Sequence, residues 1–247
     1  MPEGQKTAIV VGASSGIGAA CVRDLAARGF DVAIVARRED KLQTVAASAS
    51  GGKVTPWKHD VTAFEEVPDL FSRIVEDLGG SLDMIIYAAA IMPDCDIDTW
   101  NFDDDKAVID TNLTGCMAWL NQAGPLLRKQ GSGSIVGISS IAGDRGRVKF
   151  PAYNTSKAAM NTYLEALRNR LCRHGVRVTT IKPGYVATSM TEGKAGLFWV
   201  ASADQAGKAV VDAGLKGKNT RYVFRRWWIV ATVIRCIPSF IFRRLNV

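Results

Sequence analysis

The sequence predicts a single α/β domain, a doubly wound parallel sheet of seven strands with helices on both faces. Short apolar runs alternate along the chain with stretches of helical period, the pattern of a parallel sheet buried on both sides. No internal repeat, low-complexity tract or interdomain linker interrupts that alternation. With 247 residues, 47% of them hydrophobic and 22% charged, the chain can build one large core.

The elements follow in order. Residues 7–11 (TAIVV) form the first buried strand, and residues 17–28 a helix that stops at Gly29, a residue suited to the left-handed position after a helix. A second strand spans 31–36 and a helix 40–49. A third strand covers 54–58, followed by a helix that runs to Leu78. The fourth strand is 84–89, then a long helix 106–127, a fifth strand 134–138, a helix 152–174 and a sixth strand 176–182. Residues 222–224 are the candidate seventh strand.

Charge is uneven. The net charge is +7, yet eight of the 31 basic residues fall between Ala213 and Val247, where no acid occurs. The rest of the chain sets 23 basic residues against 24 acidic ones, so the basic character belongs to the tail and gives no nucleic-acid footprint. Five cysteines at wide, irregular spacing imply reduced thiols and a cytoplasmic setting. The two histidines, His59 and His174, have no local ligand spacing, and no metal site is expected. The opening MPEGQKTAIVV enters a strand at once, so no signal peptide is expected. Six aspartates between Asp94 and Asp105 read as a solvated loop with acids near a helix start rather than a cation site.

Two patterns carry chemistry. The first is Gly12-Ala13-Ser14-Ser15-Gly16-Ile17-Gly18, directly after the first strand and ahead of a helix. Glycines allow a tight turn, and the helix start offers free N–H groups to a dinucleotide diphosphate. At the end of the second strand stand Arg37 and Arg38, whose guanidinium groups suit a ribose 2′-phosphate. NADP(H) is therefore favoured, while the adjacent Glu39 leaves NAD(H) open. The second pattern is Tyr153 and Lys157, four residues apart on one helix face. A phenol ionises at about pH 10, and a neighbouring cation should lower that value and make Tyr153 a usable acid or base. Ser140, thirteen residues before Tyr153 at the end of a strand, can hold a carbonyl oxygen beside it.

The glycine loop, Asn112 in NLTG, Ser140, Tyr153, Lys157 and Pro183-Gly184 occur in one order at consistent distances. The set resembles the classical short-chain dehydrogenase/reductases over residues 6–190. The resemblance implies a Rossmann fold and a tetrad. Tyr153 would exchange the proton with a carbonyl or alcohol and Ser140 would hold the substrate oxygen. Lys157 would lower the Tyr153 pKa and bond the nicotinamide ribose. Asn112 would anchor a relay water. Gly12, Ser14, Ser15, Gly16, Ile17 and Gly18 would frame the diphosphate, and Asp60 and Val61 would meet the adenine. Ala89, Pro183, Gly184, Val186 and Thr188 would complete the cofactor site, with Thr188 on the carboxamide. The thirteen-residue spacing favours Ser140 over its rival Ser139. The family also implies a homodimer or homotetramer acting on a ketone or alcohol.

One departure stands out. Tyr87-Ala88-Ala89-Ala90 replaces the N-N-A-G of the family, removing an asparagine that braces the sheet. The tail from residue 221 to 247 departs too, with tryptophans and apolar residues set between arginines and broken by Pro238. Its apolar stretch, residues 227–234, is far shorter than the ~20 apolar residues that span a bilayer. Two readings stay open: a subunit interface or pocket wall, or peripheral contact at the inner face of a membrane. Together the tail and the missing N-N-A-G resemble the decaprenylphosphoryl-2-keto-ribose reductase type. That likeness implies a lipophilic or lipid-linked substrate, and residues 197–199 (Leu-Phe-Trp) would give a lid over the pocket an apolar face.

Overall fold

Runs of Val, Ile and Ala long enough for one strand and too apolar to face water set the centre of the molecule. The computed structural model describes residues 5–95, 97–98, 100–193 and 196–245. Its strands are β1 (Thr7–Val11), β2 (Asp31–Ala36), β3 (Val54–Lys58), β4 (Met84–Tyr87), β5 (Ser134–Ile138), β6 (Arg177–Pro183) and β7 (Thr220–Val223). All pair in parallel, in the order β3-β2-β1-β4-β5-β6-β7. The helices are α1 (Gly16–Ala27), α2 (Glu39–Ser48), α3 (Val67–Asp77), α4 (Phe102–Ile109), α5 (Gly115–Gln130), α6 (Pro151–Leu171), α7 (Ala203–Leu215), α8 (Arg226–Cys236) and α9 (Ser239–Phe242).

Successive strand residues point to opposite faces. Ala8 and Val10 of β1 join a core with Leu25 of α1, Leu42 of α2 and Val210 of α7. Ile9 and Val11 join the other core, with Phe71 of α3, Trp119 of α5 and Leu164 of α6. Fully burying side chains of this size stabilises the fold by about 1.5–3 kcal/mol each. The strand order reverses between β1 and β4, and there the carboxyl ends of the strands open a crevice.

Three differences from the sequence reading bear on the site and its surroundings. The long helix expected over 106–127 is interrupted: α4 and α5 are joined by a π-helical turn, Asp110–Thr114. A single extra residue in a turn carries no Gly or Pro signature, so periodicity passes over it. The fourth strand ends at Tyr87 rather than residue 89. The chain turns away there beside Gly12, where any Cβ would overlap the Ala89 backbone. Helix α7 had no counterpart in the sequence reading. It starts with a capping box, Ser202 accepting from the Gln205 N–H while the Gln205 side chain accepts from the Ser202 N–H. It packs closely on α1, where a Cβ on Gly207 would lie 2.7 Å from the Ala20 carbonyl carbon.

Tyr87 stands where the family pattern has its first asparagine. Its side chain is fully buried, and its Oη donates to the Thr111 carbonyl inside the π-helical turn at 2.6 Å. Gly115 is the space this requires: a Cβ there would lie 2.6 Å from the Tyr87 Oη. The phenol thus ties β4 to the turn that carries Asn112.

The tail folds back onto the body. Trp227 of α8 is 2% exposed and lies so close to Gly184 that any Cβ on that glycine would overlap the indole. Arg145 donates to the Ile234 carbonyl at 2.6 Å and to that of Ile237 at 2.5 Å, at the end of α8. Its guanidinium also sits 3.9 Å from the Phe242 ring centroid. The opposite side of the tail leaves Trp228, Ile229, Val233 and Phe240 exposed. Among the described residues no helix is long and apolar enough to cross a membrane.

Tyr87→Phe should lower the unfolding free energy by about 1–3 kcal/mol, because it strands a buried carbonyl without adding volume. Denaturant unfolding of the two chains measures it, and an unchanged midpoint would show that the brace contributes nothing.

Candidate active site

The crevice at the strand reversal is a cleft of about 1700 Å³. Its floor at one end is the turn between β1 and α1. Gly12 adopts φ 86° and Gly16 φ 55°, the left-handed region in which glycine is unstrained. Gly12 and Ala13 donate to the Val35 carbonyl, which fixes the loop against β2. Ser15 sits at the N-cap of α1 without a side-chain bond to the helix, and no acid occupies the first turn. The positive end of α1 is therefore open to the cleft, the electrostatics a diphosphate needs.

Arg38 lies over this loop, its Nη2 donating to Ser14 Oγ at 2.8 Å and Ser15 Oγ at 3.0 Å. Arg37 pairs with Asp60 at 3.7 Å. Against the upward push of partial burial, the Thr62 N–H and hydroxyl, with Arg37, hold the Asp60 carboxyl below its ordinary value. Val61 lines the cleft beside His59, whereas Asp60 does not, its carboxylate being turned to Thr62.

At the other end β5 and α6 deliver Ser140, Tyr153 and Lys157 into the same cleft. Ser140 Oγ accepts from the Ala142 N–H at 3.1 Å and stands beside the Tyr153 phenol on the cleft. Lys157 is 1% exposed, and its Nζ donates to the Ile138 carbonyl at 2.9 Å. Burial pushes the Lys157 ammonium down to about 8. The same loss of solvent raises the Tyr153 phenol above its ordinary value, opposed by the bond from Ser140 and the charge of Arg147. The Lys157 charge is turned to a carbonyl, 5.7 Å from the Tyr153 ring centroid, and the cation opposing the rise belongs to Arg147.

Ser139, the rival serine, donates its hydroxyl to the Lys157 carbonyl at 3.1 Å and is 2% exposed. Asn112 is fully buried and does not line the cleft. Its Oδ1 accepts from the Ile91 N–H at 2.8 Å, and its Nδ2 donates to the Ile91 carbonyl and to Ser156 Oγ. Both N–H donors of the amide are committed, so its side chain braces the loop after β4 against α6. Ile17, Gly18, Ala89, Pro183, Gly184, Val186 and Thr188 all line the cleft. Thr188 is held by Thr191, whose Oγ1 accepts from the Thr188 N–H at 3.2 Å.

Arg147 and Tyr87 escaped the sequence reading. Tyr87 stood out only as a departure from a pattern, and the loop DRGRVK gave no sign of which arginine turns inward. Among the aspartates, Asp103, Asp104 and Asp105 form the first turn of α4, capped by Asn101, as charges favourable to a helix start. Asp96 in the same stretch lies outside the described residues, as do Lys194 and Ala195 within residues 190–200, the stretch expected as a lid. Among the described residues no three His, Cys, Asp or Glu side chains converge as a metal site would require.

Comparison with known proteins agrees with this architecture. The family description "short chain dehydrogenase" matches residues 6–195. An uncharacterized oxidoreductase of Mycobacterium tuberculosis is 33% identical over 233 residues, covering 92% of this chain and 90% of that protein. One from Staphylococcus aureus is 36% identical over 186 residues, covering 75% of this chain and 80% of the relative. A crystal structure of a short-chain type dehydrogenase/reductase from Mycobacterium marinum superposes with a TM-score of 0.79 at 26% identity, over 88% of this chain and 93% of that one. A second structure, of a short chain dehydrogenase/reductase family protein, gives 0.80 at 26% identity over 90% and 97%. With the nucleotide crevice and the Ser-Tyr-Lys wall on one cleft, these likenesses place the chain in the short-chain dehydrogenase/reductase family of oxidoreductases.

Proposed function

We propose that the protein interconverts a ketone and a secondary alcohol with NADP(H) as the hydride carrier. The observation that carries this reading is the Ser140–Tyr153 hydroxyl pair, set on the same cleft as the open end of α1. The site suits a nicotinamide dinucleotide: Gly12 to Gly18 leave the α1 N-terminus bare for a diphosphate, and Val61 offers an apolar surface to an adenine. When bound, the nicotinamide supplies or accepts the hydride at the substrate carbon. Ser140 donates to the carbonyl oxygen, and Tyr153 Oη delivers the proton to it, or withdraws it in the reverse direction. Lys157 would hold the nicotinamide ribose and bring positive charge to the proton path. Asn112 fixes the loop through Ile91, and Thr188 meets the carboxamide. Arg38, already poised over Ser14 and Ser15, takes a 2′-phosphate, while Arg37 is turned to Asp60.

The substrate in this reading is lipophilic or lipid-linked. Ile91, Met92, Ile97, Val108 and Leu197 supply an apolar wall beyond Tyr153. The tail adds a membrane contact. Trp228, Ile229, Val233, Phe240 and Ile241 are exposed, Arg225, Arg226, Arg235, Arg243 and Arg244 accompany them, and no acid occurs from Ala213 onward. This would hold the protein at the cytoplasmic face of an anionic bilayer. A subunit interface in a homodimer or homotetramer is the second reading, supported by the same exposed apolar face.

Tyr153→Phe should cut turnover of a ketone by on the order of 10²–10⁴-fold while NADPH affinity is retained, because only the proton donor is lost. Steady-state kinetics with a cofactor titration decide it, and unchanged turnover would sink the assignment. Arg38→Leu should weaken NADPH by about 10–100-fold and leave NADH nearly as before, since one charge-assisted contact to phosphate is removed. Equal losses for both cofactors would remove the case for NADP(H). Serine at Trp228, Ile229 and Val233 together should abolish co-sedimentation with anionic vesicles. If instead the unaltered chain ignores vesicles and the triple variant dissociates an oligomer, the tail is a subunit interface.

A further inference from the structure

The loop between Ser140 and Tyr153 carries four charged side chains, and three of them are accounted for. Asp144 pairs with Lys182 at 2.5 Å and accepts from Tyr222 Oη at 3.0 Å. Arg145 is spent on the end of α8. Lys149 is exposed at the rim of the cleft. Arg147 differs from all three. It lines the cleft, its Nε is shut away from solvent, and among the described residues no group accepts from its guanidinium. No carboxylate among them pairs with it, although Asp104 and Asp105 line the same cleft from α4.

The fold holds this loop in place at some cost. Phe150 adopts φ 61°, a left-handed conformation that a bulky side chain avoids. Asn154, 3% exposed, secures the loop from α6, its Nδ2 donating to the Lys149 carbonyl at 2.9 Å and the Arg147 carbonyl at 3.4 Å. Residue 147 is thus tied to the helix one position beyond Tyr153, close enough for its charge to oppose the rise in the phenol's pKa. An unpaired guanidinium donor out of water is unfavourable unless an anion completes it. The groups assigned above to the diphosphate and 2′-phosphate are the start of α1 and Arg38, not Arg147, so those phosphates do not complete its guanidinium.

From this we infer that Arg147 is a specificity residue that binds an anionic group of the substrate, a carboxylate or a phosphate ester, placed beside the carbonyl that Tyr153 and Ser140 engage. The inference rests on the ketone reading above and adds a substrate class to it: apolar along one wall, negatively charged near the reacting carbon.

Direct titration tests it without turnover. The full chain is first saturated with NADPH, or with NADH if that binds tighter, which fills the phosphate positions at α1 and Arg38. Benzoate, phenyl phosphate and benzyl alcohol, the uncharged match, are then titrated calorimetrically. The unaltered chain should bind at least one anion about 10–100-fold tighter than the alcohol, the range for a charge-assisted contact. Arg147→Met should erase that preference, and Arg147→Lys should restore part of it. Cofactor affinity confirms each variant is folded, with Arg147→Gln replacing any that is not. Preference for phenyl phosphate alone assigns a phosphate ester, and preference for benzoate assigns a carboxylate. Equal binding of anions and alcohol by the unaltered chain, or a preference that survives loss of the guanidinium, overturns the inference. A chain that shows the Arg147-dependent preference yet reduces no ketone would refute the reaction and not the anion site.

Discussion

The junction of α6 with the end of β5 at Lys157 is the constraint on which the site depends. The Lys157 Nζ donates to the Ile138 carbonyl, and the Ser139 hydroxyl donates back to the Lys157 carbonyl. Gly143 completes the contact, since a Cβ there would lie 2.6 Å from the Lys157 carbonyl carbon. Three contacts on one residue fix the rotation and height of α6 against the sheet. Tyr153 sits one turn earlier on that helix and Ser140 follows Ser139 just past the end of β5, so the junction brings both hydroxyls to the cleft. The Ser139 hydroxyl is spent on the Lys157 carbonyl, which leaves Ser140 for the cleft.

From the junction, order spreads in two directions. Toward the nucleotide end, Ser156 next to Lys157 accepts from Asn112, and Asn112 holds Ile91, while Tyr87 holds the π-helical turn from β4. Toward the tail, Asp144 joins Lys182 of β6 and Tyr222 of β7, and Arg145 joins α8. Trp227 then packs on Gly184 at the cleft wall, in ring contact with Tyr185, Phe198 and Trp199. The tail therefore backs the cleft wall at Gly184 and Tyr185 as well as presenting an exposed apolar surface. Whatever meets its outer face is one layer of side chains from the groups that line the cleft.

What the sequence discloses follows from the range of the interaction. Central strands were legible nearly to the residue because burial on both faces demands an unbroken apolar run, as in TAIVV and DVAIVA. The glycine turn and the Tyr153–Lys157 pair were legible because each is a local spacing with a local chemical reason. Helix α7 was not, since Ala and Gly face α1 where larger apolar residues mark other helices, although Ser202 and Gln205 do spell a capping box. The partner of Tyr87 lies 24 residues away, and the choice of Arg147 over Arg145 as the inward arginine depends on where α8 ends. Those are facts of tertiary structure that no window of sequence contains.

The buried ammonium shows why such a site needs so large a core around it. The Lys157 pKa falls from 10.5 to about 8 in the folded chain, so near neutral pH the fold holds a charge it disfavours. Between about pH 8 and 10.5 the unfolded chain carries more protons at this residue than the folded one, and stability from this group rises with pH across that window. At neutral pH the residue is thus a liability, offset by the flanking apolar strands and helices and only partly by the Ile138 carbonyl. A Met of similar length would fill the space without that cost. Lys157 borders the cleft between the glycine turn and Tyr153, and a buried charge kept at such a cost beside a cleft is the mark of a functional position rather than of a structural one.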